Sequence, residues 1–245
     1  MLLTRLTHQR QLDIAVLARS ARVAESELSA TLRGAVPSPA LLRRLAPALG
    51  LHTADLFAIA GLIMPLDLVP TDPAARPWVP NLMWFARELT PEARDRVHQY
   101  ASALPQLARR PADRLAAVQD RHSSGPGALL MRMTRNRNLD WTRTAKVFLL
   151  LTGRYWSPAT YGSVAFGLAA LPPDLILDFA TVLGIAADDL AALTGVSLTG
   201  PASAPDPATA GLAELIWDVR RLTDDQVRAV ILRARAELDV SVPRP

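Results

Sequence analysis

The feature of this sequence that most constrains its fold is an internal repeat. Residues 2–13 read LLTRLTHQRQLD and residues 129–140 read LLMRMTRNRNLD. Two further blocks repeat in the same order, residues 37–62 with 171–196 and residues 82–97 with 215–230. The three blocks are displaced by 127, 134 and 133 residues, respectively. We interpret the chain as a tandem duplication with about 130 residues per copy.

Each copy has the same predicted plan, with a compact helical head, a proline-rich connector and an amphipathic helical pair introduced by a tryptophan. Repeated proline prevents regular helix in the connectors. The predicted units are a head at 1–62, a connector and hairpin at 63–110, a degenerate head at 127–196 and a C-terminal hairpin at 209–240. Residues 109–127 join the copies, and their Ser-Ser-Gly-Pro-Gly end is the predicted flexible boundary.

Composition favours an all-α fold without covalent or metal crosslinks. Ala, Leu, Arg and Glu dominate the patterned segments, while β-branched and aromatic residues are sparse. The chain has no cysteine, which excludes disulfides and thiolate zinc sites. Neither a signal peptide nor a membrane span is predicted, so we expect a cytoplasmic protein. The net charge of +4 permits a polyanionic partner without requiring one.

The first copy predicts a series of short helices. Two of them are separated by a few residues around Val23, and proline at positions 37 and 39 stops one helix and starts the next. Gly50 and Gly61 end the third and fourth apolar patterns. A Thr90-Pro91 pair predicts an N-cap and first helical residue inside the later hairpin.

This order of elements resembles the lambda-repressor-like (Cro-type, XRE) family of helix-turn-helix transcription regulators. The resemblance rests on Leu17-Ala18, Val23, Leu28, Gly34 and the two prolines, and it covers residues 3–62 well and 130–196 less well. It implies two tandem five-helix heads, with the third helix of a head entering the major groove of DNA. A homodimer would then place two copy-one heads on half-sites about 34 Å apart or a multiple of that distance.

The resemblance also implies which residues of copy one contact DNA. The groove-facing helix spans about residues 24–33, with four residues nearest the bases and three arginines within reach of phosphate. These predicted DNA-binding residues are Glu25, Ser26, Ser29, Ala30, Arg19, Arg22 and Arg33. The alternative for the three arginines is a solvated helix face.

The predicted groove-facing helix departs from a typical DNA reader. It carries Glu25 and Glu27, and no Arg, Lys, Asn or Gln occupies its early positions. The alternative is therefore a protein-interaction scaffold that keeps a repressor-like fold and has lost DNA binding. Retention on double-stranded DNA at low salt separates the two hypotheses.

Copy two is predicted to have lost base reading. Seven extra residues lie between Ala145 and Pro173, where copy one has its turn, and the apolar run 147–151 within them must be covered by its own domain or by a partner. We assign Phe148 to an interface; for Trp84 and Trp217, which lie on apolar faces, core packing is the first expectation and an interface role the second. The basic cluster Arg132, Arg135, Arg137 and Lys146 is predicted to contact phosphate or an acidic partner, or to be a solvated face.

Catalytic, metal and cofactor chemistry have no support in the sequence. The four histidines have no metal-ligand spacing, and no phosphate-binding loop or nucleophile-elbow motif is present. The carboxylate pairs Asp188-Asp189 and Asp224-Asp225 stand where helices are predicted to begin, where negative charge is favourable. We therefore expect neither an enzyme nor a cofactor-binding protein.

Overall fold

The computed structural model describes residues 2–108, 125–198 and 207–241. These residues form fourteen α-helices and two short 3-10 helices, and no strand occurs among them. The all-α prediction is therefore confirmed. No helix in these ranges is long and apolar enough to cross a membrane.

Within the described ranges, each of the two copies contains seven α-helices in the same order. Copy one contains α1 (Leu2–Gln9), α2 (Ile14–Ala21), α3 (Glu25–Leu32), α4 (Pro39–Ala48), α5 (Thr53–Ala60), α6 (Val79–Ala86) and α7 (Pro91–Ala103). Copy two contains α8 (Pro126–Asn136), α9 (Trp141–Thr152), α10 (Pro158–Ala165), α11 (Pro173–Leu183), α12 (Ala187–Thr194), α13 (Pro207–Val219) and α14 (Asp224–Ser241). The matching order agrees with a duplication, which stays a prediction.

Side-chain caps and prolines fix several of these helix boundaries. The Asp13 carboxylate accepts a hydrogen bond from the Val16 amide at 2.8 Å, and the Ser38 hydroxyl accepts one from the Leu41 amide at 3.1 Å. Thr90 caps α7 as predicted, with its hydroxyl 3.3 Å from the Ala93 amide. In the proline-rich connector of copy one only the 3-10 helices Leu66–Leu68 and Pro73–Trp78 form.

The two heads pack together through equivalent helices. Helix α1 of copy one lies against α12 of copy two, and α5 of copy one lies against α8 of copy two. Because α1 corresponds to α8 and α5 to α12, each head offers the same two helices to the other. The hairpins pack in a similar reciprocal way, α6 against α14 and α7 against α13. A single apolar core runs through both copies.

Six of the seven extra residues of copy two lie between the starts of its second and third helices, within the predicted interval. The interval from Ile14 to Glu25 is 11 residues, whereas the interval from Trp141 to Pro158 is 17 residues. Helix α9 is 12 residues long and α2 is 8, so one additional helical turn accounts for four of the added residues.

The structure moves two predicted boundaries. Most of the joining segment, residues 109–124, lies outside the described residues, as does part of the second connector. Pro126 and Gly127 were predicted to belong to the flexible boundary, but they form the first turn of α8. The first hairpin helix begins at Val79, five residues before Trp84.

Candidate nucleic-acid interface

A three-residue turn joins α2 to α3 in copy one. Arg22 takes a left-handed conformation (φ 54°), and its amide donates to the carbonyls of Ala18 and Arg19. The Val23 amide then donates to the Ala18 carbonyl at 3.0 Å. These bonds close the end of α2 and start α3 at Glu25 without a longer loop. The predicted break around Val23 is confirmed.

Helix α3 is amphipathic and shows its polar face to solvent. Leu28 and Thr31 are its buried residues and anchor it to the head. Glu25 and Glu27 lie in the first turn, where their charge complements the helix dipole. Glu27 also accepts a hydrogen bond from the Ser38 hydroxyl at 3.2 Å, which ties α3 to the cap of α4. Both acidic residues therefore stabilise the start of α3, and Glu27 also contacts the cap of α4.

None of the seven predicted DNA-binding residues is buried. Ser29 and Ala30 are half-buried, and the other five are exposed, namely Arg19, Arg22, Glu25, Ser26 and Arg33. Helix α3 packs chiefly on α2, so its outer face is left open. The structure places these residues around one exposed turn and helix, which is the arrangement that contact with a duplex needs.

Sequence reasoning missed one arginine near this turn. Arg44, on α4, is exposed, and its guanidinium donates to the carbonyl of Arg22 at 3.0 Å. It therefore adds a positive charge next to Arg22. The residue is 22 positions away in the chain, and only the packing of α4 on α2 brings it to the turn.

The equivalent place in copy two has a different character. Asp178 aligns with Arg44 at the displacement of 134, and its carboxylate is fully buried. It accepts hydrogen bonds from the Arg154 guanidinium at 2.9 Å and from the Trp156 indole at 2.6 Å. The longer connection of copy two is thus anchored by an acidic side chain, and Arg154 is engaged within the head.

Helix α10 of copy two packs closely against other residues of its own head. Gly162 aligns with Ser29 and is covered by the Trp141 ring, since a Cβ built on Gly162 would lie 3.0 Å from Trp141 Cζ3. Gly127 of α8 lies against Val164, with the position of a Cβ only 2.2 Å from the Val164 carbonyl oxygen. Helix α10 itself carries no charged side chain. This helix has neither the exposure nor the charge of α3.

The predicted phosphate contact for Arg137 is wrong. Its side chain is completely buried, and its Nη2 lies 2.9 Å from Oδ2 of Asp55, which is equally buried. Asn136 also donates to Asp55, at 2.8 Å. The other members of the predicted cluster are more accessible, Lys146 being exposed and Arg132 and Arg135 half-buried. Of the predicted cluster, Arg132, Arg135 and Lys146 therefore remain accessible to solvent.

The Arg137–Asp55 ion pair has a counterpart in the other direction. Arg10 aligns with Arg137 and Asp189 with Asp55, and Arg10 Nη2 lies 2.6 Å from Asp189 Oδ2. Each of these arginines also donates to a carbonyl of its own copy, Leu49 for Arg10 and Leu183 for Arg137. Two equivalent ion pairs therefore join the heads. Aligning the repeats was the signal that could have revealed them.

The predicted interface role of Phe148 is also wrong. Phe148 is completely buried and packs edge-on to Tyr161 and Phe179, with ring centroids 5.4 and 4.9 Å away. Its own domain covers it. Burial raises the pKa of the Tyr161 hydroxyl well above its usual range. In the same apolar run, Leu149 remains 44% exposed.

The two repeated tryptophans have different environments. Trp217 stacks on His52 with ring centroids 3.6 Å apart, and the Arg220 guanidinium lies 3.8 Å from its centroid. Trp84 is 53% exposed and is contacted by Arg87 at 4.4 Å. Trp217 therefore joins the two copies within one chain, and only Trp84 retains a free face.

His52 is held neutral at the junction of the copies. Burial, followed by the positive charge of Arg137, lowers the pKa of its imidazole from 6.5 to about 4. Burial also raises the pKa of Glu214, whose carboxylate lies 3.7 Å from the imidazole. No group of three or more metal-ligating side chains occurs within the described ranges.

Comparison with known proteins adds no family to this picture. No family model matches the chain, and neither a curated protein nor a solved structure is significantly similar to it. The assignment of the site therefore depends on its geometry and charge.

Proposed function

We propose that the chain is a transcription regulator that binds double-stranded DNA through the copy-one head, using α2, the turn at 22–24 and α3 as a helix-turn-helix. The observation that supports this most is the exposed face of α3 next to Arg19, Arg22, Arg33 and Arg44. The arginines would hold backbone phosphate, and Ser26 would lie nearest the base edges.

Copy two would serve the first head as a structural partner. Its α12 and α8 support α1 and α5 of copy one through the two reciprocal ion pairs. Because its third helix is closed against its own head, one chain would supply one reading head. A two-half-site operator would then require a homodimer, for which the free face of Trp84 is a candidate surface.

DNA titrations at two salt concentrations test the proposal. We expect mixed-sequence duplex to change the anisotropy of labelled protein in dilute buffer and to bind more weakly at moderate salt. The double substitution Arg19→Ala with Arg22→Ala should lower the affinity and reduce the slope of log affinity against log salt by about 2. Helix content measured by circular dichroism should stay unchanged.

A matched variant controls for net charge. Arg228→Ala with Arg235→Ala removes the same charge from the exposed face of α14 and should leave DNA binding unchanged. Equal losses in the two variants would show unspecific attraction and contradict the assigned surface.

A protein-interaction scaffold is the second candidate. It is favoured by exposed apolar side chains next to α10, where Tyr155, Phe166 and Leu168 are 61%, 55% and 80% exposed. Absence of duplex binding even in dilute buffer would support this function over the first. Sedimentation of Phe166→Ser with Leu168→Ser beside the parent chain would then show whether these residues hold a second copy.

A further inference from the structure

A groove between α1 and α3 of copy one adjoins the proposed DNA surface and shares Ser29 and Arg33 with it. The groove is open to solvent, has a volume of about 550 Å³ and is lined by residues of both helices and of the connection before α2. Its lining residues include His8, Gln11, Leu12, Ile14, Ser29 and Arg33. A volume of this size is typical of sites for small organic ligands.

Copy two shows what fills the equivalent space. Ile14, Ser29 and Arg33 line the groove of copy one, and the residues aligned with them are Trp141, Gly162 and Phe166. In copy two these three are in contact, since the Trp141 ring covers Gly162 and lies edge-on to Phe166 at a centroid distance of 5.9 Å. By this alignment, copy two places an indole at the position of Ile14, and that indole contacts the counterparts of Ser29 and Arg33.

The open groove combines apolar side chains with the guanidinium of Arg33. Ile14 is 36% exposed and Leu12 is half-buried, so a flat ring could bury apolar surface on both. Arg33 and His8 are exposed, and the described residues that line the groove include no aspartate or glutamate. A guanidinium without a lining carboxylate favours an anionic group, and a carboxylate can accept two parallel hydrogen bonds from it.

We propose that this groove binds a small planar aromatic carboxylate, with the ring over Ile14 and Leu12 and the carboxylate at Arg33. The ring takes the place that Trp141 fills in copy two, displaced outward by the Ser29 side chain, whose hydroxyl lies at its edge. The site does not depend on DNA binding. Because Ser29 and Arg33 also belong to the proposed DNA surface, ligand and duplex would compete, and this extension alone rests on the proposed function.

Calorimetric titration of the full chain with 3-indolepropionate, in the absence of DNA, tests the site. We expect saturable binding of one molecule per chain, and at least about tenfold weaker binding of the neutral analogue 3-indolepropanol, which lacks the charged hydrogen bonds to Arg33. Arg33→Gln should weaken the acid by about tenfold and leave the alcohol unchanged. Lack of saturable binding, or equal affinity for acid and alcohol, would overturn the proposal.

A second variant tests the position of the ring. Ile14→Trp with Ser29→Gly reproduces the copy-two filling and should abolish binding of the acid while the melting temperature is kept or raised. Val16→Trp places the same side chain at an exposed position of α2 that does not line the groove and should bind like the parent. Unchanged binding in the filled variant would show that the probe binds elsewhere. Arg33 is exposed, so Arg33→Gln keeps the test decisive if the filled variant fails to fold.

Discussion

The two heads of this chain share an order of five helices and differ in what those helices face. In copy one, α3 follows a three-residue turn and keeps its polar side in solvent. In copy two, α10 follows a longer connection and packs against its own head, where Trp141 covers Gly162 and Gly127 lies against Val164. The same succession of helices can therefore leave the third helix exposed or cover it. The difference depends on a few residues in the connection and on one aromatic side chain.

The ion pairs that join the heads show the same divergence. Arg137 and Asp55 are both completely buried, whereas Arg10 is 26% exposed in the equivalent pair with Asp189. Burial makes the first pair costly to break, because the remaining charge has no water to replace its partner. Water can reach Arg10, so loss of its partner is less costly.

The largest expected effect is that of Asp55→Asn. It leaves the Arg137 guanidinium buried without a counter-charge and should lower the free energy of unfolding by about 3 to 5 kcal/mol. The matched change Asp189→Asn should cost about 1 to 2 kcal/mol, since solvent can take over part of the hydrogen bonding of Arg10. Urea denaturation of both variants measures the two losses, and equal losses would refute the asymmetry of the pairs.

The next effect concerns pH and the stacked pair at the junction. His52 has a pKa near 4 in the folded chain and 6.5 when unfolded, so between these values the unfolded chain binds more protons. The contribution of neutral His52 to the free energy of unfolding is therefore fully present above about pH 6.5 and is lost as the pH is lowered toward 4. The loss of unfolding free energy attributable to His52 should reach about 2 to 3 kcal/mol. Urea denaturation at several pH values measures it.

Substitution of His52 separates its contribution from those of other groups. His52→Phe keeps an aromatic ring against Trp217 and does not titrate, so its unfolding free energy should fall less between pH 6.5 and 4 than that of the parent. An identical pH dependence in the two proteins would contradict a neutral His52. Copy two has alanine at the equivalent position 186, and Trp84, the counterpart of Trp217, is exposed.

Local patterns in the sequence predicted the helices well, but the partners of particular side chains were not predictable in this way. The break at Val23 and the cap at Thr90 depend on residues a few positions apart, and both are confirmed. Arg137 belongs to a helix with several basic residues, which normally indicates a solvated face. Its partner Asp55 lies 82 positions away in the other copy, and only the packing of α5 on α8 brings the two together.

The candidate DNA site illustrates the same limit. The exposed positions of α3 follow from its amphipathic pattern, whereas Arg44 reaches the turn through tertiary packing. Phe148 was assigned to an interface because the run 147–151 is apolar on every side. Phe148, the counterpart of Ala21, packs its ring into a cluster with Tyr161 and Phe179 of the same copy, and its helix α9 also packs against α6 of copy one. Periodicity shows that a face needs cover, but it does not show which element provides it.

The last prediction concerns Gly127→Ala, which tests whether close packing of α8 on α10 is what covers the third helix of the second head. A Cβ at this position would meet the Val164 carbonyl at 2.2 Å, so the two helices must separate. We expect a loss of about 1 to 3 kcal/mol in the free energy of unfolding. Amide hydrogen exchange should become faster in α10 and stay unchanged in α3, because α3 has no such contact. Uniform acceleration in both helices would mean that the heads open together, and the proposed difference between a closed and an open third helix would not hold.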